Sequence, residues 1–163
     1  MKIGVLGSGD VAKVLASGLL KHGHQIKVGS RKAGKLADWA SQNPRGSVGT
    51  IAEAAGFGEI VMLAVKGTAA AEALSLAGER NLAGKTVMDA CNPIEDAAPE
   101  NGVLRFFTGL NDSLMERLQR QFSSAHFVKA FNSVGSVCMV NPEFSGPSRR
   151  CSSAETAPEP RSK

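Results

Sequence analysis

Cysteine is scarce in this sequence: Cys91, Cys138 and Cys151 are the whole supply, odd in number and without paired spacing. That excludes a disulfide framework and a zinc knuckle, and leaves each thiol a small buried or incidental residue. Long hydrophobic runs are missing as well. No stretch approaches the roughly 18 apolar residues of a membrane span. No charged leader with a cleavage site stands ahead of the strand-like segment that begins at Lys2, so a cytoplasmic protein with no membrane partner is expected. There is no grouping of nucleophile and base of the Ser-His-Asp or Cys-His kind. His22 and His24 flank a turn and His126 sits in a strand-like segment, ordinary places for loop and core histidines. The formal net charge is only +4, and much of the excess lies just past the second strand-like segment, so nucleic acid is not an expected partner either.

What is present suffices for one core, since 163 residues with 42% hydrophobic content form a single small domain. Strand-like and helix-like segments alternate from Lys2 onward. That pattern predicts an α/β fold of the Rossmann type, a doubly wound, mostly parallel sheet with helices on both faces. In the first helix, Val11, Val14, Leu15, Gly18 and Leu19 share a face, and Gly23 closes it. His24 to Val28 reads as the second strand and Ala33 to Gln42 as the second helix, with Trp39 packing it on the sheet or, less simply, stacking on a base. Ser47 and Val48 suit a short third strand, and Thr50 and Glu53 a capping box. Glu59 to Val65 is a continuous apolar run, as a strand covered on both faces should be. Thr68 is expected to cap a helix reaching Ala77, Thr86 to Ala90 forms a fifth strand, Asn111 to Gln121 a helix with Ser113 and Glu116 as its capping pair, and Ala125 to Lys129 a sixth strand.

The most specific feature is the opening: Lys2 to Leu6 runs straight into Gly7-Ser8-Gly9-Asp10-Val11-Ala12 and the first helix. Gly-x-Gly-x-x-Ala between strand and helix is a phosphate cradle. Gly7 permits the tight turn, Gly9 lets a pyrophosphate approach the backbone, and Ala12 permits close packing of helix on strand. The helix start adds unpaired N–H groups and the positive end of its dipole. About 20 residues on, where an NAD site carries an acid for the ribose 2′-hydroxyl, this chain has Gly29-Ser30-Arg31-Lys32 instead. A hydroxyl and two cations suit a 2′-phosphate and a carboxylate would repel it, so NADP is favoured over NAD. The other reading of Arg31, Lys32 and Lys35 is the solvated first turn of a surface helix.

Ligands of open α/β sheets bind outside the carboxyl ends of the strands. The loops expected there are Ala64-Val65-Lys66-Gly67, Asp89-Ala90-Cys91-Asn92-Pro93 and Lys129-Ala130-Phe131-Asn132-Ser133-Val134-Gly135. With Gly7-Ser8-Gly9 and Gly29-Ser30-Arg31-Lys32, this set resembles the coenzyme F420-dependent NADP oxidoreductase family from Met1 to about Pro147. The resemblance implies Gly7, Ser8, Gly9, Asp10 and Val11 around the pyrophosphate, and Ser30, Arg31 and Lys35 around the 2′-phosphate. It further implies Ala64 and Val65 along the path to the nicotinamide, with Asn92, Pro93, Asn132 and Val134 beside that ring. Lys66 either reaches a phosphate or is a solvated loop lysine, and Asn92 either meets the ligand or simply starts the turn that Pro93 fixes.

The function so implied is hydride transfer between NADP(H) and F420, a flavin or another acceptor, with catalysis by alignment and no catalytic acid or base. The alternative is an NADP(H)-binding module that turns nothing over. From Ser145 to Lys163 there is no Val, Ile, Leu, Met or Phe, whereas the family continues with further strands and helices. Residues 1–147 therefore read as the NADP-binding domain and 148–163 as a disordered tail. The face left uncovered keeps a homodimer open.

Overall fold

The computed structural model describes residues 1–142 and 154–155. In chain order these form β1 (Lys2–Leu6), α1 (Asp10–Lys21), β2 (Gln25–Gly29), α2 (Ala37–Gln42), β3 (Ser47–Gly49), α3 (Ile51–Phe57), β4 (Ile60–Leu63), α4 (Ala70–Ala77), α5 (Glu79–Leu82), β5 (Thr86–Asp89), α6 (Leu114–Gln121), β6 (His126–Lys129) and β7 (Ala154–Glu155). One sheet orders them β3-β2-β1-β4-β5-β6-β7, the first six parallel and β7 antiparallel to β6. The order reverses between β1 and β4. That reversal opens a crevice at their carboxyl ends, where ligands of such sheets lie. This is the Rossmann-type arrangement that the alternation of segments predicts.

Period-2 side-chain alternation divides the core between the two faces. Ile3 and Val5 of β1 join Ile26, Val28 and Met62 under Leu15, Ala16 and Leu20 of α1 and Trp39 of α2. Leu6, Val61, Leu63, Val87 and Phe127 face the other way, against Ala54 of α3, Leu74 of α4, Leu82 of α5 and Leu118 of α6. Each fully buried Leu or Phe contributes roughly 1.5–3 kcal/mol over its exposed state.

Local signals explain most boundaries. Gly23, at φ +83°, ends α1: its N–H bonds the Leu20 carbonyl and the His24 N–H bonds the Leu19 carbonyl, both at 3.1 Å, a Schellman arrangement. Both capping boxes form, Thr50 with Glu53 at α3 and Ser113 with Glu116 at α6. Trp39 is buried, with its indole N–H donating to the Ser17 hydroxyl at 2.9 Å, and so locks α2 onto α1.

Four expectations need correction. The segment 33–42 is a 3-10 turn over Ala33–Leu36 followed by α2, not one helix. Along α1 the buried positions are Ala12, Leu15, Ala16, Gly18 and Leu20, while Val11, Val14 and Leu19 are half-buried, because the face turned inward carries the small residues, with Gly18 lying directly against Val140. The Asn111–Gln121 helix starts only at Leu114, after its Ser113 cap. Thr68 does not cap α4: Gly67–Ala69 form a 3-10 turn, Ala69 precedes the helix, and the Thr68 hydroxyl donates to Asp96 instead. The tail reading falls on residues that, apart from 154–155, lie outside those described, as does Cys151. Among the described residues no helix is long and apolar enough to cross a membrane.

Candidate functional site

The turn from β1 into α1 is fixed by sterics. Gly7 has φ +136°, and a Cβ there would stand 2.1 Å from the Ala64 carbonyl oxygen, so only glycine fits between β1 and the end of β4. Its N–H donates to the Gly29 carbonyl at 2.9 Å, tying the turn to the end of β2. Gly9 is the N-cap of α1 and has no side chain to fold back on the helix start. The first intrahelical bond runs from the Lys13 N–H to the Gly9 carbonyl, so the N–H groups of Asp10, Val11 and Ala12 stay without helical partners. A Cβ on Gly9 would meet nothing within 4 Å. The space it faces belongs to a cleft of about 970 Å³ across the carboxyl ends of β1, β4 and β5.

That cleft gathers twelve of the residues expected at the site: Gly7, Ser8, Gly9, Asp10 and Val11 from the turn, Ser30 and Arg31 just past β2, Lys35 in the 3-10 turn that follows, Ala64, Val65 and Lys66 after β4, and Asn92 after β5. Lys32, Pro93, Asn132 and Val134 do not line it. Lys32 acts through its backbone, its N–H donating to the Ser30 hydroxyl at 3.2 Å and so holding that nearly buried side chain in the turn. Asn132 touches the cleft indirectly: Asn92 donates to the Asn132 carbonyl at 3.0 Å, which pins the loop after β5 to the loop after β6.

Sequence reasoning missed the carboxylates. Glu72, in the first turn of α4, reaches across the cleft to Arg31, whose Nη1 donates to both of its oxygens at 3.0 and 2.9 Å. Asp96 accepts from Lys66 Nζ at 2.7 Å and from the Thr68 hydroxyl at 2.8 Å. Those two bonds, Lys66 foremost, hold its carboxyl below the usual carboxylate range. Both pairs are largely exposed. Deeper in, Asp89 at the end of β5 is fully buried. One of its oxygens takes the Cys91 N–H at 2.9 Å and the other takes Lys129 Nζ at 2.8 Å. Lys129 also donates to the Cys91 carbonyl. Burial first, and the Asp89 charge second, push the Cys91 thiol far above its ordinary value, so it lines the cleft as a neutral group and not as a nucleophile. Neither carboxylate had a local signal, for Glu72 stands 41 residues from Arg31 and Asp96 30 residues from Lys66. The Asp89 and Lys129 pair was visible only as two charges ending neighbouring strands. No cluster of metal-ligating side chains occurs among the described residues.

The family model for the coenzyme F420-dependent NADP oxidoreductases matches residues 2–93, more than half of the chain. The rat metalloreductase STEAP3 is 33% identical over 131 residues, 80% of this chain but 24% of that protein, so the chain spans about a quarter of that relative's length. A crystal structure of a candidate F420-dependent NADP reductase from Arthrobacter sp. FB24 superposes with a TM-score of 0.81 at 34% identity, covering 87% of this chain and 67% of that one. A reductive aminase from Aspergillus terreus, solved with NADPH, shares the fold at TM-score 0.60 and 19% identity, over 84% of this chain and 42% of its own. With that coverage over the opening turn and the strands that frame the cleft, the chain belongs to the coenzyme F420-dependent NADP oxidoreductase family.

Proposed function

We propose that this chain binds NADP(H) in the cleft and serves its transfer of a hydride to or from a second redox partner, F420, a flavin or another hydride acceptor. The observation that carries the reading is the open helix start beside Gly9, facing the same cleft as Ser30, Arg31 and Lys35. The residues present fit the group. Free N–H groups and the α1 dipole suit a pyrophosphate. The end of β2 offers a hydroxyl and two cations where an NAD site carries an acid. A volume of about 970 Å³ accommodates a ligand of dinucleotide size.

The nicotinamide, when bound, supplies or accepts the hydride. The chain's own work is to hold and orient. Backbone N–H groups of the turn fix the phosphates, and Ser30, Arg31 and Lys35 grip the 2′-phosphate. Ala64 and Val65 give a ring a smooth apolar wall. Asn92 has one amide hydrogen committed to Asn132 and a second left for a carboxamide. Alignment of two rings in a shielded cleft is the whole demand of such a reaction, which is why no acid or base need be assigned.

Titration with NADPH and NADH tests the binding half. Arg31→Ala should weaken NADPH by about tenfold, the loss of a charge-assisted hydrogen bond, and leave NADH unmoved. Equal losses refute the 2′-phosphate assignment. NADPH oxidation with F420, FMN, FAD and a ferric salt in turn tests the transfer half, and tight binding with no turnover by any of them supports the binding-module alternative.

A further inference from the structure

We propose that Glu72 sets coenzyme choice by positioning Arg31, an inference that rests on the dinucleotide reading of the cleft. Arg31 Nη1 alone makes the contact, donating to both Glu72 oxygens at 3.0 and 2.9 Å. Among the described residues no hydrogen bond engages its Nε or Nη2. One corner of the guanidinium is thus held from α4 while the Nε and Nη2 edge stays free, and that edge is the planar fork that takes a phosphate in two parallel bonds. Held this way, a side chain rich in rotamers loses less freedom when the phosphate arrives.

The charges are compatible with sharing. Lys35 lines the same end of the cleft with no carboxylate within ion-pair distance among the described residues. Two cations thus face the 2′-phosphate and Glu72 together, and binding does not require Arg31 to release its carboxylate. NADH has no phosphate at that position, so a well-placed guanidinium brings it nothing. Glu72 is therefore a positioning residue for NADPH and indifferent to NADH.

Isothermal titration of the wild type, Glu72→Gln, Arg31→Ala and the double variant with NADPH and NADH tests this. Both side chains are exposed, so each variant should melt with the wild type. Glu72→Gln should weaken NADPH by about twofold to fivefold, the range of an exposed ion pair. NADH should not respond, and in the Arg31→Ala background Glu72→Gln should have no further effect. Tighter NADPH binding by Glu72→Gln would mean that the carboxylate competes with the phosphate, and overturns the proposal. Equal losses for both coenzymes overturn it too, as does a loss that persists without Arg31. A wild type that prefers NADPH but is indifferent to Glu72→Gln overturns the positioning role alone. A wild type that binds no NADPH overturns the reading of the cleft and the positioning role with it.

Discussion

On the bank of the cleft formed by β1, α1 and β2, the turn offers backbone N–H groups set by residues adjacent in sequence. On the bank formed after β4, β5 and β6, side chains are held by partners 28 to 40 residues away. The first bank is a consequence of glycine sterics and helix geometry, with Gly7 wedged against the Ala64 carbonyl and tied by its N–H to Gly29. The second is a set of clamps: Asp89 with Lys129, Asn92 with Asn132, Lys66 and Thr68 with Asp96. Local sterics make one bank rigid and generic; long-range pairing makes the other adjustable and particular to this chain.

The largest test separates the two glycines of the first bank. Gly7→Val puts a branched side chain at φ +136° with its Cβ 2.1 Å from the Ala64 carbonyl, which should cost about 3–5 kcal/mol in urea denaturation. Gly9→Ala adds a methyl where no atom lies within 4 Å, at φ −80° that alanine accepts. Its stability should stay within about 0.5 kcal/mol of wild type, while NADPH binding weakens on the order of tenfold because the phosphate no longer reaches the helix start. If both substitutions unfold the protein alike, Gly9 is structural and the cradle reading of this bank fails.

The second bank should break at Asp89. Asp89→Asn keeps an acceptor for the Cys91 N–H but strips the charge from a fully buried group whose partner, Lys129, is itself mostly buried. Loss of one member of such a pair leaves the other uncompensated, so urea denaturation should show a cost of about 3 kcal/mol. Adding Lys129→Met should restore part of it, since removing both charges of a buried pair is far less harmful than removing one. A double variant no more stable than Asp89→Asn would show that the clamp matters through its hydrogen bonds to Cys91 and not through charge.

The same division decides what was legible in the sequence. Strand identity and the parallel arrangement followed from the alternation of segments, and the glycine turn and both capping boxes were visible because each is complete within a few residues. So was the end of β2, where Ser30 and Arg31 enter the cleft together. Thr68 shows where such reading fails. Its place before an Ala-rich helix fits a cap, but Asp96, 28 residues on, takes the hydroxyl, and no local rule ranks a distant carboxylate above a nearby helix start. The partners of Lys66 and Arg31 were unreadable for the same reason: Asp96 and Glu72 meet them only across the folded cleft.

Asp96 supplies the smallest test and the finest one. Hydrogen bonds from Lys66 and Thr68 depress its folded value below the ordinary 3.8. A depressed carboxyl contributes stability above the unfolded value, and that contribution is lost as pH falls through the folded one. The Lys66 bridge should therefore be intact at neutral pH and open only in acid, below the ordinary carboxylate range. A carboxyl NMR titration should find Asp96 with a low midpoint. Lys66→Met should move that midpoint up toward 3.8 without fully restoring it, because Thr68 still donates. The melting temperature at pH 7 should hardly change, since both side chains are mostly exposed. If Asp96 titrates at the ordinary value in both proteins, the clamp between the loops after β4 and β5 is not formed in solution, and on that side the second bank is looser than its counterpart around Asp89.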